Sequence, residues 1–306
     1  MTLPRVAPWC GLGTSGSWSS AAEALEEAEM TVTGYTEPVW TNDGLLVPNT
    51  YVTRDYADDR LLGVVSGQYG IVQNQDVFGM LDPFCEKGGV IEHAGTTPQG
   101  MSFMVCRMES HDWQGDRYDL YACVMNSYNG KYPACLFITT LRVICQNMFA
   151  KLRQHAPAMF NLRHTTYAAD ALRSKKLDVT GALTQAATDI QLCLNMAKMQ
   201  KVDQATVDKA AELIFPYPKQ PDPWGFAKWR DTCDRQDSRR QLWIEECYHA
   251  PDNEPHLGTG LGLLNAYYDW LSHYVPLREN SGWEGQRLGG LMLGTNIKNS
   301  IMKLVM

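Results

Sequence analysis

Residues 90–139 constrain the fold of this chain more than any other stretch. Val90–Gly95, Met101–Met108, Tyr118–Ser127 and Tyr132–Thr139 are apolar, β-branched and aromatic runs separated by short polar segments. The last two are joined by Tyr128-Asn129-Gly130-Lys131, and Asn-Gly between such runs is the strongest short hairpin signal, since a type I′ turn needs positive φ at both central residues. An antiparallel meander of three or four strands is therefore expected. Thr139 or Thr140 then reads as the cap of a helix reaching about Arg153. One face of it carries Leu141, Ile144, Cys145, Met148 and Leu152, and the other Arg142, Gln146, Phe149 and Arg153. The expected fold is α+β: an antiparallel β-meander packed on a long basic helix, followed by a mainly helical C-terminal part. The boundary is placed near 177–180, giving a β-rich unit over 1–178 and a helical region over 179–306.

Flanking elements follow from caps and spacing. Ser19 or Ser20 caps a helix within Ser17–Met30, with Glu23, Glu26 and Glu27 near its positive end. Leu62–Gln73 reads as strand, and Asn74–Lys87 as helix ending at Gly88-Gly89. Thr180–Gln200 has a helical stripe, and Asp203 caps a helix ending near Phe215. Pro216, Pro218, Pro221 and Pro223 mark a connector. Ser238–His249, Leu261–Val275 and Asn296–Val305 complete the expected helices.

Charge is distributed unevenly. The chain carries 27 Lys and Arg against 34 Asp and Glu, net −7, which argues against a generic nucleic-acid binder. Residues 1–130 are net −11, whereas 131–176 hold Lys131, Arg142, Lys151, Arg153, Arg163, Arg173, Lys175 and Lys176 against Asp170 alone, net +7. Tyr128, Tyr132, Phe149, Phe160 and Tyr167 are interleaved with these cations. Cations that track phosphates, with rings on which unpaired bases stack, are the chemistry of single-strand binding. The candidate contact set is Lys131, Arg142, Lys151, Arg153, Arg163, Lys175 and Lys176 for phosphates, with Tyr128 and Phe149 for bases.

Competing chemistries are poorly served. Gly11-Leu12-Gly13-Thr14-Ser15-Gly16 has dinucleotide-loop spacing but lacks the preceding buried strand, so a flexible loop is expected there. Cys247, His249 and His256 form the tightest His/Cys grouping and lack a second compact pair. No G-x-S-x-G or H-E-x-x-H occurs. Nine cysteines without a C-x-x-C pair read as reduced thiols, Cys145 among them on the apolar helix face. No membrane-length apolar run or secretory signal is legible, so a cytoplasmic protein needing no nucleotide or metal cofactor is expected.

Several strings also carry a resemblance. Pro8-Trp9 with Leu12-Gly13, Leu62–Phe78, Met125–Gly130, Leu141–Asn147, Leu162–Thr165 and Gly260–His273 resemble a family of phage and plasmid proteins known only as a domain of unknown function. Two departures are local: Thr139-Thr140 replaces a usual Pro, and Ser-Tyr-Asn-Gly replaces His-Asp-Gly. The order helix, meander, cationic helix is also similar to the ring-forming Rad-fifty-two-like annealing recombinases. These resemblances imply a phage-type protein that binds single-stranded DNA as a homo-oligomer and promotes annealing. The alternative is a counter-defence or host-takeover protein acting through a host protein, with the acidic surface as its working face.

Overall fold

The computed structural model describes residues 9–10, 12–97, 100–113, 116–142, 147–149, 160–173, 178–220, 225–274 and 296–305. The expected meander is its centre. Strands β1 (Thr14–Trp18), β5 (Val90–Thr96), β6 (Met101–Trp113), β7 (Asp116–Ser127), β8 (Ala134–Arg142) and β10 (Phe160–Leu162) form an antiparallel sheet in the order β1-β5-β6-β7-β8-β10. Strand β9 (Asn147–Phe149) also pairs with β8. A smaller sheet is built from β2 (Gly34–Trp40), β3 (Leu46–Asp55) and β4 (Leu61–Ser66).

Every residue from Leu120 to Tyr128 is buried. Successive strand side chains point to opposite faces, so both faces of β7 are covered. Short helices α1 (Ala21–Glu27), α2 (Asn74–Phe78) and α3 (Asp82–Cys85) pack against β1, β5, β6 and β7. Ser20 caps α1, accepting from the Glu23 amide, while Glu23 accepts from the Ser19 amide in return. After α4 (Ala168–Arg173), the helical C-terminal part comprises α5 (Val179–Met199), α6 (Gln204–Ile214), α7 (Phe226–Trp243), α8 (Gly260–Asp269) and α9 (Asn296–Val305). All ten residues of α8 are buried, as befits an almost wholly apolar helix in a core. His256 reaches Asp116 at the start of β7, 2.9 Å away, and ties this part to the sheet.

Four expectations are corrected. The helix over 139–153 does not form as read: Thr139–Arg142 extend β8, and Asn147–Phe149 return as β9, with Arg142 opposite both Tyr118 and Asn147. The long strand β7 offers ladder partners through Tyr118, and this pairing outweighs an apolar spacing that fits a helix equally well. Residues 11–16 are not simply a loop, since Thr14–Trp18 pair with β5. A Cβ at Gly13 (φ +67°) would fall 2.3 Å from the Ala94 carbonyl oxygen, so close backbone approach explains that glycine.

The hairpin after β7 is not a two-residue type I′ turn. Of its residues only Gly130 has positive φ, and Tyr128–Pro133 form a longer loop closed by Ser127 Oγ, which donates to the Tyr132 carbonyl. Finally, strand β4 stops at Ser66, so 67–73 lie outside any strand.

The β1–β5 seam predicts a pH dependence. His93 Nε2 donates to the Leu12 carbonyl at 2.6 Å, leaving Nδ1 to accept from the Ser15 hydroxyl at 3.0 Å, so the ring is neutral. Burial pushes its pKa below the ordinary 6.5, and burial does the same to His164. The unfolded chain therefore binds these protons at higher pH than the folded one. Stability is full above the unfolded pKa and falls as pH drops through 6.5 toward the folded values. Thermal unfolding between about pH 7 and 5 is expected to show this loss, with a shallower slope in His93→Gln.

Candidate nucleic-acid interface

Lys131 sits at the tip of the Tyr128–Pro133 loop, exposed, with its amide held by Asn129 Oδ1 at 3.0 Å. This turn projects the side chain from the end of the sheet. Beside it β10 delivers Arg163, also exposed, and His164. Neither Lys131 nor Arg163 has an ion-pair partner among the described residues.

The floor is aromatic. His164 stacks on Tyr69, with ring centroids 4.9 Å apart and planes 18° from parallel. Tyr69 is anchored by its hydroxyl, which donates to the Ser127 carbonyl at 2.8 Å, and burial raises its pKa. The backbones are zipped together: Gly70 N donates to the His164 carbonyl, His164 Nδ1 donates to the Gly70 carbonyl at 3.3 Å, and Tyr69 bridges Thr165. A Cβ on Gly70 would lie 2.0 Å from the Thr165 carbonyl oxygen, so only glycine allows this approach.

The resulting pocket, about 340 Å³, is lined by Tyr69, Lys131, Tyr132, Asn161, Arg163 and His164 among others, with no carboxylate among the described residues that line it. On the other side of the loop lies a larger cleft of about 650 Å³ between β4 and the β5–β6 turn. Lys131 lines both, and Arg60 adds a second cation to the cleft, opposed by Glu29. Arg60 is shared with Asp55 at 3.4 Å and Asp58 at 3.9 Å. Together they make an open groove across the end of the sheet, cationic along its rim and aromatic at one end.

Of the residues singled out in the sequence, Lys131 and Arg163 are brought together here. Arg142 and Phe149 end β8 and β9 as strand residues, not on a helix face. Lys151, Arg153, Lys175 and Lys176 lie outside the described residues. Tyr128 is corrected as a stacking residue: its ring is buried beneath Gly34, and its hydroxyl accepts from the Asn74 amide at 2.9 Å and donates to the Val32 carbonyl at 3.0 Å. Tyr128→Phe is therefore expected to cost about 1–3 kcal/mol, because the Asn74 amide is left buried and unpaired. Oligonucleotide affinity measured on the folded variant should be unchanged.

Tyr69, His164, Asn161 and Arg60 were missed. For Tyr69 and His164 the signal was Tyr-Gly within Leu62–Phe78 and Arg-His within Leu162–Thr165, two strings that meet Met125–Gly130 at this pocket, whereas Asn161 and Arg60 lie just outside those strings. The Cys247, His249 and His256 grouping does not converge, and among the described residues no three His, Cys, Asp or Glu side chains are placed to hold a metal ion. None of the described helices is long and apolar enough to cross a membrane.

These features define an α+β protein with a cation-rimmed, aromatic-floored groove at one end of an antiparallel sheet. The chain belongs to the family described as Domain of unknown function (DUF932), whose model matches residues 61–288. That span contains β4, the Tyr69-Gly70 segment, the Lys131 loop and Arg163-His164. No curated protein and no solved structure matches the chain.

Proposed function

We propose that this protein binds single-stranded DNA in the groove around Lys131 and, as a phage-type homo-oligomer, promotes annealing. The observation that supports the reading is the juxtaposition of Lys131 and Arg163, which have no ion-pair partner among the described residues, with the Tyr69–His164 stack, in a pocket that no described carboxylate lines. Cations neutralise phosphates, and an aromatic platform takes a base face at about 1–3 kcal/mol per stacked base. A strand held this way keeps its base edges free to find a complement. The acidic balance of the chain as a whole, net −7, repels duplex and favours a short, defined contact.

Fluorescence anisotropy with a labelled oligonucleotide tests the binding step. The expected result is saturable binding at low salt that single-stranded competitor displaces far better than duplex. Absence of binding at low salt sinks the reading. Annealing of complementary strands, with a rise in oligomeric mass on adding DNA, tests the second step.

A second reading, a host-protein partner, is favoured by a different observation. At the turn end of the β2–β3 hairpin on the small sheet, Trp40, Leu45 and Leu46 are all more than half exposed. A patch of this kind marks an interaction surface. This reading expects one stoichiometric partner that is lost in Trp40→Ser, Leu46→Ser, with no oligonucleotide binding.

A further inference from the structure

Away from the groove, three sulfur atoms gather where the chain turns from α3 into β5. Cys106 and Met108 are two residues apart on β6, so their side chains leave the same face of the strand. Cys106 Sγ lies 3.7 Å from Met108 Sδ. Helix α3 packs on β6, and its last residue, Cys85, brings its thiol close to that of Cys106. Gly89 forms the floor: a Cβ there would fall 2.6 Å from Met108 Sδ and 2.8 Å from Cys106 Sγ. The sulfurs thus rest on bare backbone.

Access differs among the three. Cys106 is buried and Cys85 half-buried, while Met108 lines an open cavity of about 330 Å³ together with Lys87, Gly88 and Thr184.

We propose that Cys85, Cys106 and Met108 form a binding site for a soft monovalent cation, Cu(I) being the one its ligands select. Thiolate and thioether donors favour Cu(I), whereas hard cations require oxygen ligands that these three side chains do not offer. Two sulfurs bound at ~2.3 Å to one ion lie about 3.8–4.0 Å apart, tetrahedral to trigonal. The observed 3.7 Å between Cys106 and Met108 already approaches that span. On binding, each thiol that becomes a thiolate ligand releases one proton, and no electron is transferred. The ion would reach the sulfurs past Met108 from the open cavity.

The test titrates the purified full-length chain anaerobically with Cu(I) presented by a chromogenic chelator, bicinchoninate. The expected result is one tight equivalent per chain with ultraviolet thiolate-to-copper absorption. Loss of even an outer partner of a metal ligand costs about 10- to 100-fold in affinity, so Met108→Leu should weaken this equivalent by at least about tenfold. Met108→Leu conserves shape and volume and keeps the fold, checked by its melting curve. Cys85→Ser should abolish the equivalent. Affinity unchanged in both folded variants overturns the proposal, because the copper is then held by other thiols of the chain.

Discussion

Gly70→Ala is expected to destabilise the protein by about 2–3 kcal/mol and to lower Tm by roughly 4–10 °C. The new methyl group would stand 2.0 Å from the Thr165 carbonyl oxygen and 2.5 Å from its carbon. Both neighbours are backbone, and the segment they belong to is held by the Gly70–His164 hydrogen bonds and the Tyr69–Thr165 bridge. No rotamer change relieves such a clash, so the two segments must part. The Tyr69–His164 stack and the placement of Arg163 go with them, and oligonucleotide affinity should fall alongside stability. Gly79→Ala is the control. Its Cβ would meet only Asp82 Oδ2, at 3.8 Å, in helical backbone, so a neutral or slightly stabilising effect is expected. Differential scanning calorimetry on the two variants decides the matter; a Gly70→Ala melt matching wild type would contradict the described approach.

The second large effect concerns charge. Lys131→Ala with Arg163→Ala removes the Lys131 and Arg163 cations that line the pocket while leaving its aromatic floor. Hydrogen bonds to charged partners are worth about 1.5–3 kcal/mol, so each substitution should weaken oligonucleotide binding about tenfold or more. Both side chains are exposed, so Tm should move by no more than about 2 °C. This dissociation of affinity from stability separates the pair from Gly70, whose loss affects both.

What the sequence conveyed and what it withheld have physical causes. Strands β5 to β8 were legible because their apolar runs are long and bounded by turn residues. Helix α5 was legible from its stripe and α6 from Asp203, which accepts from the Thr206 amide, while the α5 cap, Asp178 accepting from the Gly181 amide, went unread. The segment 139–153 misled because Leu141, Ile144, Cys145 and Met148 satisfy a helical spacing, and only the distant partner strand β7 decides between the two states. Helix α7 begins at Phe226, twelve residues before the expected Ser238. It buries only Trp243 and lacks the stripe that would announce it. Instead Trp229 donates to the Pro218 carbonyl, and the Arg240 guanidinium lies 4.0 Å from the Tyr217 ring centre, so the proline connector packs along it.

The groove was half legible for the same reason. Charge is a local property, and Lys131 and Arg163 stood out within a block carrying one acid. Their aromatic companions did not. Tyr69 reaches His164 only because Gly70 admits the Thr165 backbone, a tertiary fact with no local periodicity. Tyr128, next to the turn, looked available for stacking, yet its ring and hydroxyl fasten the small sheet to the loop. Thr53 Oγ1 donates to its carbonyl at 2.6 Å, and Gly63 packs against Asn129.

The most direct test of the central claim is the salt dependence of single-strand binding by wild type and by Lys131→Ala, Arg163→Ala. Single strands give a slope of log K against log salt of about −0.7 per neutralised phosphate. With Arg60, Lys131 and Arg163 each on a phosphate, wild type should show a slope of about −2, and the double variant about −0.7. Equal affinities and equal slopes for the two proteins would place any DNA contact elsewhere and contradict the account.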